Sequence, residues 1–207
     1  MSHGIYRFGW ALAGAASIGL AVSAVLTAPT RAADDAKPAD DKVKPEWREG
    51  DERAEQDKLE GQAPPVLAVK EWTNGKAVKL ADLKGKVVLI DFWATWCGPC
   101  IASIPHTNEL QKKFKDKGLV VIAVCHTEGA EKMAQTVKDK GIEYLTAADV
   151  GQKTIKAYHV NSYPDYYLID RFGKLRIADC KNGAVEKAVE ALLSEPAPSD
   201  AAAAAAK

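Results

Sequence analysis

The stretch that most constrains the fold is Val87-Val88-Leu89-Ile90-Asp91-Phe92-Trp93, a continuous apolar run of strand length interrupted by one charge. A strand with one wet face alternates apolar and polar residues. A run without alternation belongs to a strand covered on both faces, as in a parallel sheet packed between layers of helices. Asp91 is out of place in such a strand, since a carboxylate is costly to bury. The run leads directly into Trp96-Cys97-Gly98-Pro99-Cys100, after which Ile101, Ile104, Leu110 and Phe114 recur at helical spacing, with Pro105 expected to kink that helix.

The remaining periodicities complete an α/β pattern. Leu119 to Val124 reads as a second buried strand, and Glu131 to Lys140 as a helix with Met133 and Val137 inward. A further helical stretch lies near Gln152 to Tyr158. Tyr166 to Asp170 and Leu175 to Ala178 read as strands paired through the turn Arg171-Phe172-Gly173-Lys174. Val185, Ala188, Val189, Leu192 and Leu193 mark a closing amphipathic helix. Upstream, Val66 to Trp72 and Ala77 to Leu80 flank Asn74-Gly75, which predicts an N-terminal hairpin. The order predicts a three-layer fold with a mixed central β-sheet flanked by helices.

Outside this domain the composition changes. Arg7, the uncharged segment Trp10 to Ala28, and Thr30-Arg31-Ala32 as a small-x-small site predict an export signal over residues 1–32, with an uncleaved membrane anchor as the alternative. Residues 33–60 are polar and charged and read as a linker, with a surface helix over Glu46 to Glu60 as the other option. The domain then covers 61–195, and 196–207 form a Pro/Ala/Ser tail expected to be disordered. Lys and Arg together number 28, as do Asp and Glu, so no net field draws a nucleic acid.

C-x-x-C supplies what disulfide exchange requires: one thiol that attacks as thiolate and a second that displaces it from the mixed disulfide. At a helix start, free N–H groups and the helix dipole lower the first thiol's pKa from about 8.5 into the range of roughly 3.5 to 7.5. The second cysteine lies one turn in and is expected to be more buried. Half a zinc site is the rival reading. A closed zinc site needs two more ligands, and Cys125, Cys180, His106, His126 and His159 include no second close pair, so neither metal nor cofactor is expected.

The run VVLIDFWATWCGPC looks like thioredoxin, and residues Gly61 to Leu193 resemble the TlpA/ResA-like branch of periplasmic thiol-disulfide oxidoreductases. The resemblance rests also on Gly61-Gln62-Ala63-Pro64, on Leu80 to Lys86, on Pro105, and on Tyr163-Pro164 followed by Tyr167-Leu168-Ile169-Asp170. It implies a thioredoxin fold, catalysis by Cys97 and Cys100, and a cis peptide bond at Pro164. A substrate surface would comprise Trp96, Gly98, Pro99, Tyr163 and Pro164. Protein thiols or disulfides would be the substrates, with a membrane electron donor for recharging and a possible membrane tether. The Gly98-Pro99 pair resembles the reducing members.

The sequence departs from those relatives at named positions. Tyr163 replaces the Thr or Val usual before the cis-proline, and Ser103 stands where ResA-like relatives carry Glu. Asp91 replaces their Asn, at the position of thioredoxin's buried acid. It lies six residues before Cys97 and is the candidate general base for Cys100. Cys125, at the end of the second strand, reads as a buried small hydrophobe or an extra redox thiol. Cys180 follows the last strand on the other side of the sheet, and no bond between them is expected. His126 and His159 read as loop or surface residues. A peroxidase lacks its Pro-x-x-x-Thr-x-x-Cys motif here; a non-enzymatic copper or apo-cytochrome handling module is the alternative from another class.

Overall fold

The computed structural model describes residues 42–198; the export signal, the start of the charged segment and residues 199–207 of the tail lie outside the described residues. The elements run α1 (Ala54–Leu59), β1 (Val69–Thr73), β2 (Val87–Trp93), α2 (Gly98–Phe114), β3 (Leu119–Cys125), α3 (Met133–Lys140), β4 (Leu145–Asp149), α4 (Lys153–Ala157), β5 (Asp165–Ile169), β6 (Leu175–Cys180) and α5 (Val185–Leu193). The strands form one mixed sheet in the order β1-β4-β3-β2-β5-β6. β2, β3 and β4 are parallel, while β1, β5 and β6 run antiparallel to their neighbours.

β2 occupies an interior position between β3 and β5, and all seven of its residues are buried, as its unbroken apolarity requires. Its alternate side chains feed two cores. Leu89 and Trp93 pack with Ile104, Leu110 and Phe114 of α2 and with Val185, Val189 and Leu192 of α5. Val88, Ile90 and Phe92 pack with Ile155, Tyr158 and Tyr167 on the opposite face. There the rings of Phe92, Tyr158 and Tyr167 meet pairwise at 5.3 Å between centroids. α2 continues through Pro105, whose missing N–H leaves the Ile101 carbonyl without its helical donor. Its buried stripe of Cys100, Ser103, Ile104, Thr107, Leu110 and Phe114 follows the helical repeat.

The N-terminal hairpin is corrected. Residues 69–73 form a strand that pairs antiparallel with β4, and residues 80–83 form a 3-10 turn. The Asn74 amide explains the choice of partner: it donates to the carbonyls of Ile142 (2.6 Å) and Tyr144 (3.1 Å), holding the end of β1 against the approach to β4. β4 itself was not anticipated. Cys180 closes β6 from within the strand.

The second half of the charged segment is not a tether. Val43 and Trp47 are buried, Arg48 bridges to Cys180, and the Gln56 amide donates to the His159 carbonyl. The charges that made 42–60 look solvated satisfy one another. Glu60 accepts from the Arg48 guanidinium at 2.6 Å and 2.9 Å and from the Ala178 amide at 3.0 Å, while Arg53 donates to the Ala178 carbonyl at 2.8 Å. At the far end of the sheet, buried Arg176 pairs with Asp170 (3.2 Å) and Glu195 (2.9 Å), tying the β5–β6 turn to the end of α5. Among the described residues, no helix is long and apolar enough to cross a membrane.

Removing the Glu60 carboxylate takes away three hydrogen bonds from the Arg48 guanidinium and the acceptor of the Ala178 N–H. Glu60→Ala should therefore cost about 2 kcal/mol in urea unfolding, as expected for the loss of part-buried charge-assisted hydrogen bonds. A loss below about 0.5 kcal/mol, the range of ordinary surface changes, would mean that the segment does not hold the sheet edge.

Candidate active site

The site is built where β2 gives way to α2. β2 ends at Trp93, Ala94 is buried, and the short arm Thr95-Trp96 turns the chain so that Cys97 becomes the N-cap of α2. The Cys97 N–H donates to the Ala94 carbonyl at 3.1 Å, and the Cys97 Sγ accepts the Cys100 N–H at 3.1 Å. A sulfur in that position receives an otherwise unpartnered helix-start N–H and faces the positive end of a 17-residue helix, which favours the thiolate over the thiol. Pro99 occupies the first turn, where its missing N–H costs nothing.

Cys97 and Cys100 are joined in a disulfide. The contrast in exposure expected between them is slight, at 5% for Cys97 and 3% for Cys100. What separates them is position: one caps the helix, the other lies in its first turn. Gly98, Pro99 and Trp96 are exposed around the pair, and Trp96, 55% exposed, is one of two exposed large apolar side chains among the described residues.

The Tyr163–Pro164 peptide bond is cis. Tyr163 lies beside the cysteine arm, its ring 5.9 Å from that of Trp96. His126, at the end of β3, completes a group of three edge-on rings: its imidazole is 5.7 Å from Trp96 and 5.6 Å from Tyr163. Sequence reasoning placed His126 only in a loop. Its position immediately after a strand parallel to β2 was the signal available.

On β2, between Leu89 and Trp93 that pack against α2, Asp91 is 3% exposed and its Oδ1 has no hydrogen-bond partner among the described residues. Burial pushes its pKa up to about 7. Asp91 pairs in register with Tyr166 of β5, and burial followed by the nearby Asp91 charge drives the hydroxyls of Tyr166 and Tyr144 well above the ordinary tyrosine range. Both therefore remain protonated donors. The Tyr166 hydroxyl donates to Ser103 Oγ at 3.2 Å, and Ser103 Oγ donates to the Cys100 carbonyl at 2.8 Å. A neutral hydroxyl chain thus fills the side of α2 where the resemblance led us to look for an acid. Sequence reasoning missed Tyr166.

Asp165 follows the cis-proline and is also buried, with neither carboxyl oxygen given a donor among the described residues. Burial, and then the charge of Asp179, push its pKa up to about 9. Cys125 and Cys180 are free, buried thiols, and burial pushes each up to about 12. Neither is activated as a nucleophile. His159 is exposed, and among the described residues no group of three or more His, Cys, Asp and Glu side chains is arranged to hold a metal ion.

Comparison with known proteins places this geometry. The family model described as Redoxin matches residues 59–193. The thiol-disulfide oxidoreductase ResA of Bacillus thuringiensis (strain Al Hakam) is 39% identical over 123 residues, covering 59% of this chain and 70% of that protein. ResA of Bacillus subtilis (strain 168) is 34% identical over 116 residues, covering 56% and 64%. The crystal structure of the thioredoxin domain of a thiol-disulfide oxidoreductase from Bacteroides vulgatus shares the fold, with a TM-score of 0.59 at 23% identity over 65% of this chain and 98% of that one. A CxxC disulfide capping a helix, a cis-proline neighbour and these matches agree: the chain belongs to the Redoxin family, and within it is a ResA/TlpA-like thiol-disulfide oxidoreductase.

Proposed function

We propose that this chain is an exported protein-disulfide reductase in which Cys97 attacks, Cys100 resolves and Asp91 serves as the internal base. The observation that carries the reading is the Cys97–Cys100 disulfide at the N-terminus of α2, the helix packed on the face of β2 that carries Asp91, a buried carboxyl with an unpartnered oxygen. In the reduced enzyme the Cys97 thiolate attacks a substrate disulfide, forming a mixed disulfide and expelling one substrate thiolate. Asp91 takes the Cys100 proton, and the Cys100 sulfur attacks Cys97 Sγ. The second substrate thiol leaves and the Cys97–Cys100 disulfide forms. Two electrons have passed to the substrate, and a dithiol donor must return them; a membrane electron donor fits an exported enzyme.

Export is supported by the uncharged segment Trp10 to Ala28 followed by Thr30-Arg31-Ala32, with a membrane tether as the variant in which that segment is retained. The direction of flow is supported by Gly98-Pro99. Trp96, Gly98, Pro99, Tyr163 and Pro164 form the surface on which an extended substrate segment would lie.

Cys100→Ser should accumulate mixed disulfides through Cys97, visible as higher-mass species on non-reducing gels. Cys97→Ser should show no disulfide-reductase activity; retained activity in that variant removes Cys97 as the nucleophile.

The sign of the Asp91 effect is fixed by its raised pKa. Below about pH 3 the carboxyl is protonated in folded and unfolded chains alike, and no ionisation penalty arises. Between about pH 4 and pH 7 the unfolded chain ionises first, so stability falls as pH rises, by roughly 4 kcal/mol in full. Asp91→Asn should therefore stabilise the fold at pH 8 and leave it nearly unchanged at pH 4. The same variant should slow resolution of a preformed mixed disulfide by about 10- to 100-fold at neutral pH, the scale of general-base catalysis. Unchanged resolution, or a large loss of stability, makes Asp91 a structural residue.

A further inference from the structure

The loop after β3 does more than connect elements. Its His126 N–H donates to the Trp93 carbonyl at 2.7 Å, fixing the loop to the end of β2. The Glu128 carbonyl accepts the Trp96 indole N–H at 3.1 Å, and the Gly129 carbonyl accepts the Thr95 hydroxyl at 3.1 Å. Both residues of the arm between β2 and Cys97 are thus tied to this loop. Gly129 adopts φ +81°, and a Cβ there would run into Thr95 Oγ1, so the approach is as close as a glycine allows.

His126 organises the loop from within. Its Nδ1 accepts the Glu128 N–H at 3.0 Å, which requires an unprotonated Nδ1 and orients the Glu128 peptide whose carbonyl holds Trp96. Its ring at the same time stands edge-on to both Trp96 and Tyr163. One side chain therefore fixes the indole twice, by ring contact and through the Glu128 peptide. Trp96, the residue that precedes Cys97, nevertheless remains 55% exposed.

We propose that His126 is a specificity-positioning residue: it locks Trp96 and Tyr163 into a rigid aromatic wall beside Cys97, and this wall selects protein disulfides whose cysteine is flanked by a large apolar or aromatic side chain. The inference rests on the exchange reading above. A pre-ordered indole has no ordering cost to meet when a partner ring settles against it, and it presents an uncharged π surface at the point where the partner's sulfur must reach Cys97. The flanking side chain of a substrate cysteine is then the group that meets the wall.

The test uses the reduced protein and glutathione mixed disulfides of short cysteine peptides flanked by Phe, Ser or Lys, with peptide release followed by chromatography. The wild type should release the Phe peptide about tenfold faster in kcat/KM than the Ser peptide, mainly through KM. His126→Ala should reduce that ratio to about twofold, the loss of selectivity that a free indole implies. Two further variants separate a positioning role from a structural one. His126→Asn keeps an acceptor for the Glu128 N–H and should keep the Trp96 indole N–H protected in hydrogen exchange followed by NMR. His126→Phe keeps a ring and loses the acceptor, and should lose that protection.

A wild type that does not distinguish Phe from Ser, or that prefers Lys, overturns the inference while leaving the exchange reading intact. So does a His126→Ala variant with an unchanged ratio. A wild type that releases none of the peptides overturns both.

Discussion

Burial of β2 on both faces is the constraint on which the rest of the site depends. Because the strand is covered by α2 and α5 on one side and by α4 on the other, its C-terminal end is fixed, and the arm that follows delivers Cys97 to the start of α2. The same burial gives Asp91 its character. A carboxyl carried on the α2 face of a solvated strand would ionise like any other; here burial raises its pKa to about 7, so that it can both hold and accept a proton near neutral pH. One strand therefore sets both the position of the cysteine pair and the acidity of the carboxyl it buries.

The elements around that strand each limit what the cysteines can meet. On one side the Tyr166 hydroxyl donates to Ser103, whose own hydroxyl donates to the Cys100 carbonyl, so the first turn of α2 is hydrogen-bonded without an added charge. On the other, the loop after β3 holds Thr95 and Trp96. The buried and protonated Cys125, in register with Trp93, leaves Cys97 and Cys100 as the pair placed for exchange. The mechanism proposed here divides labour accordingly: the helix start favours the thiolate, the buried acid moves the proton, and the aromatic residues meet the partner.

Much of this was legible in the sequence because the strongest signals are local. An unalternating apolar run, a C-x-x-C at its end and a helical repeat after it can be read without knowing what packs where, and they gave β2, α2 and the disulfide. β4 was not legible: Leu-Thr-Ala-Ala-Asp has little β-propensity, and Ala147 and Ala148 are buried because neighbouring elements cover them. Asn74-Gly75 signalled a turn, but the Asn74 amide spends its donors on the chain leading into β4, a contact remote in sequence. Residues 42–60 read as a solvated linker since composition counts charges without pairing them, and Arg48, Arg53 and Glu60 pair with each other and with β6. His126 read only as a loop or surface residue for the same reason, as its contacts are with two rings distant in the chain.

The most direct test of the central claim is a redox titration of the purified protein against glutathione or dithiothreitol buffers, with Cys97 and Cys100 read by alkylation and mass spectrometry. The account predicts a single reversible two-electron transition confined to Cys97 and Cys100, with a potential nearer the thioredoxin value of about −270 mV than the strongly oxidising value of about −120 mV, and Cys125 and Cys180 reduced throughout. A pair that fails to interconvert with the buffer, or a transition at the oxidising end, would contradict it.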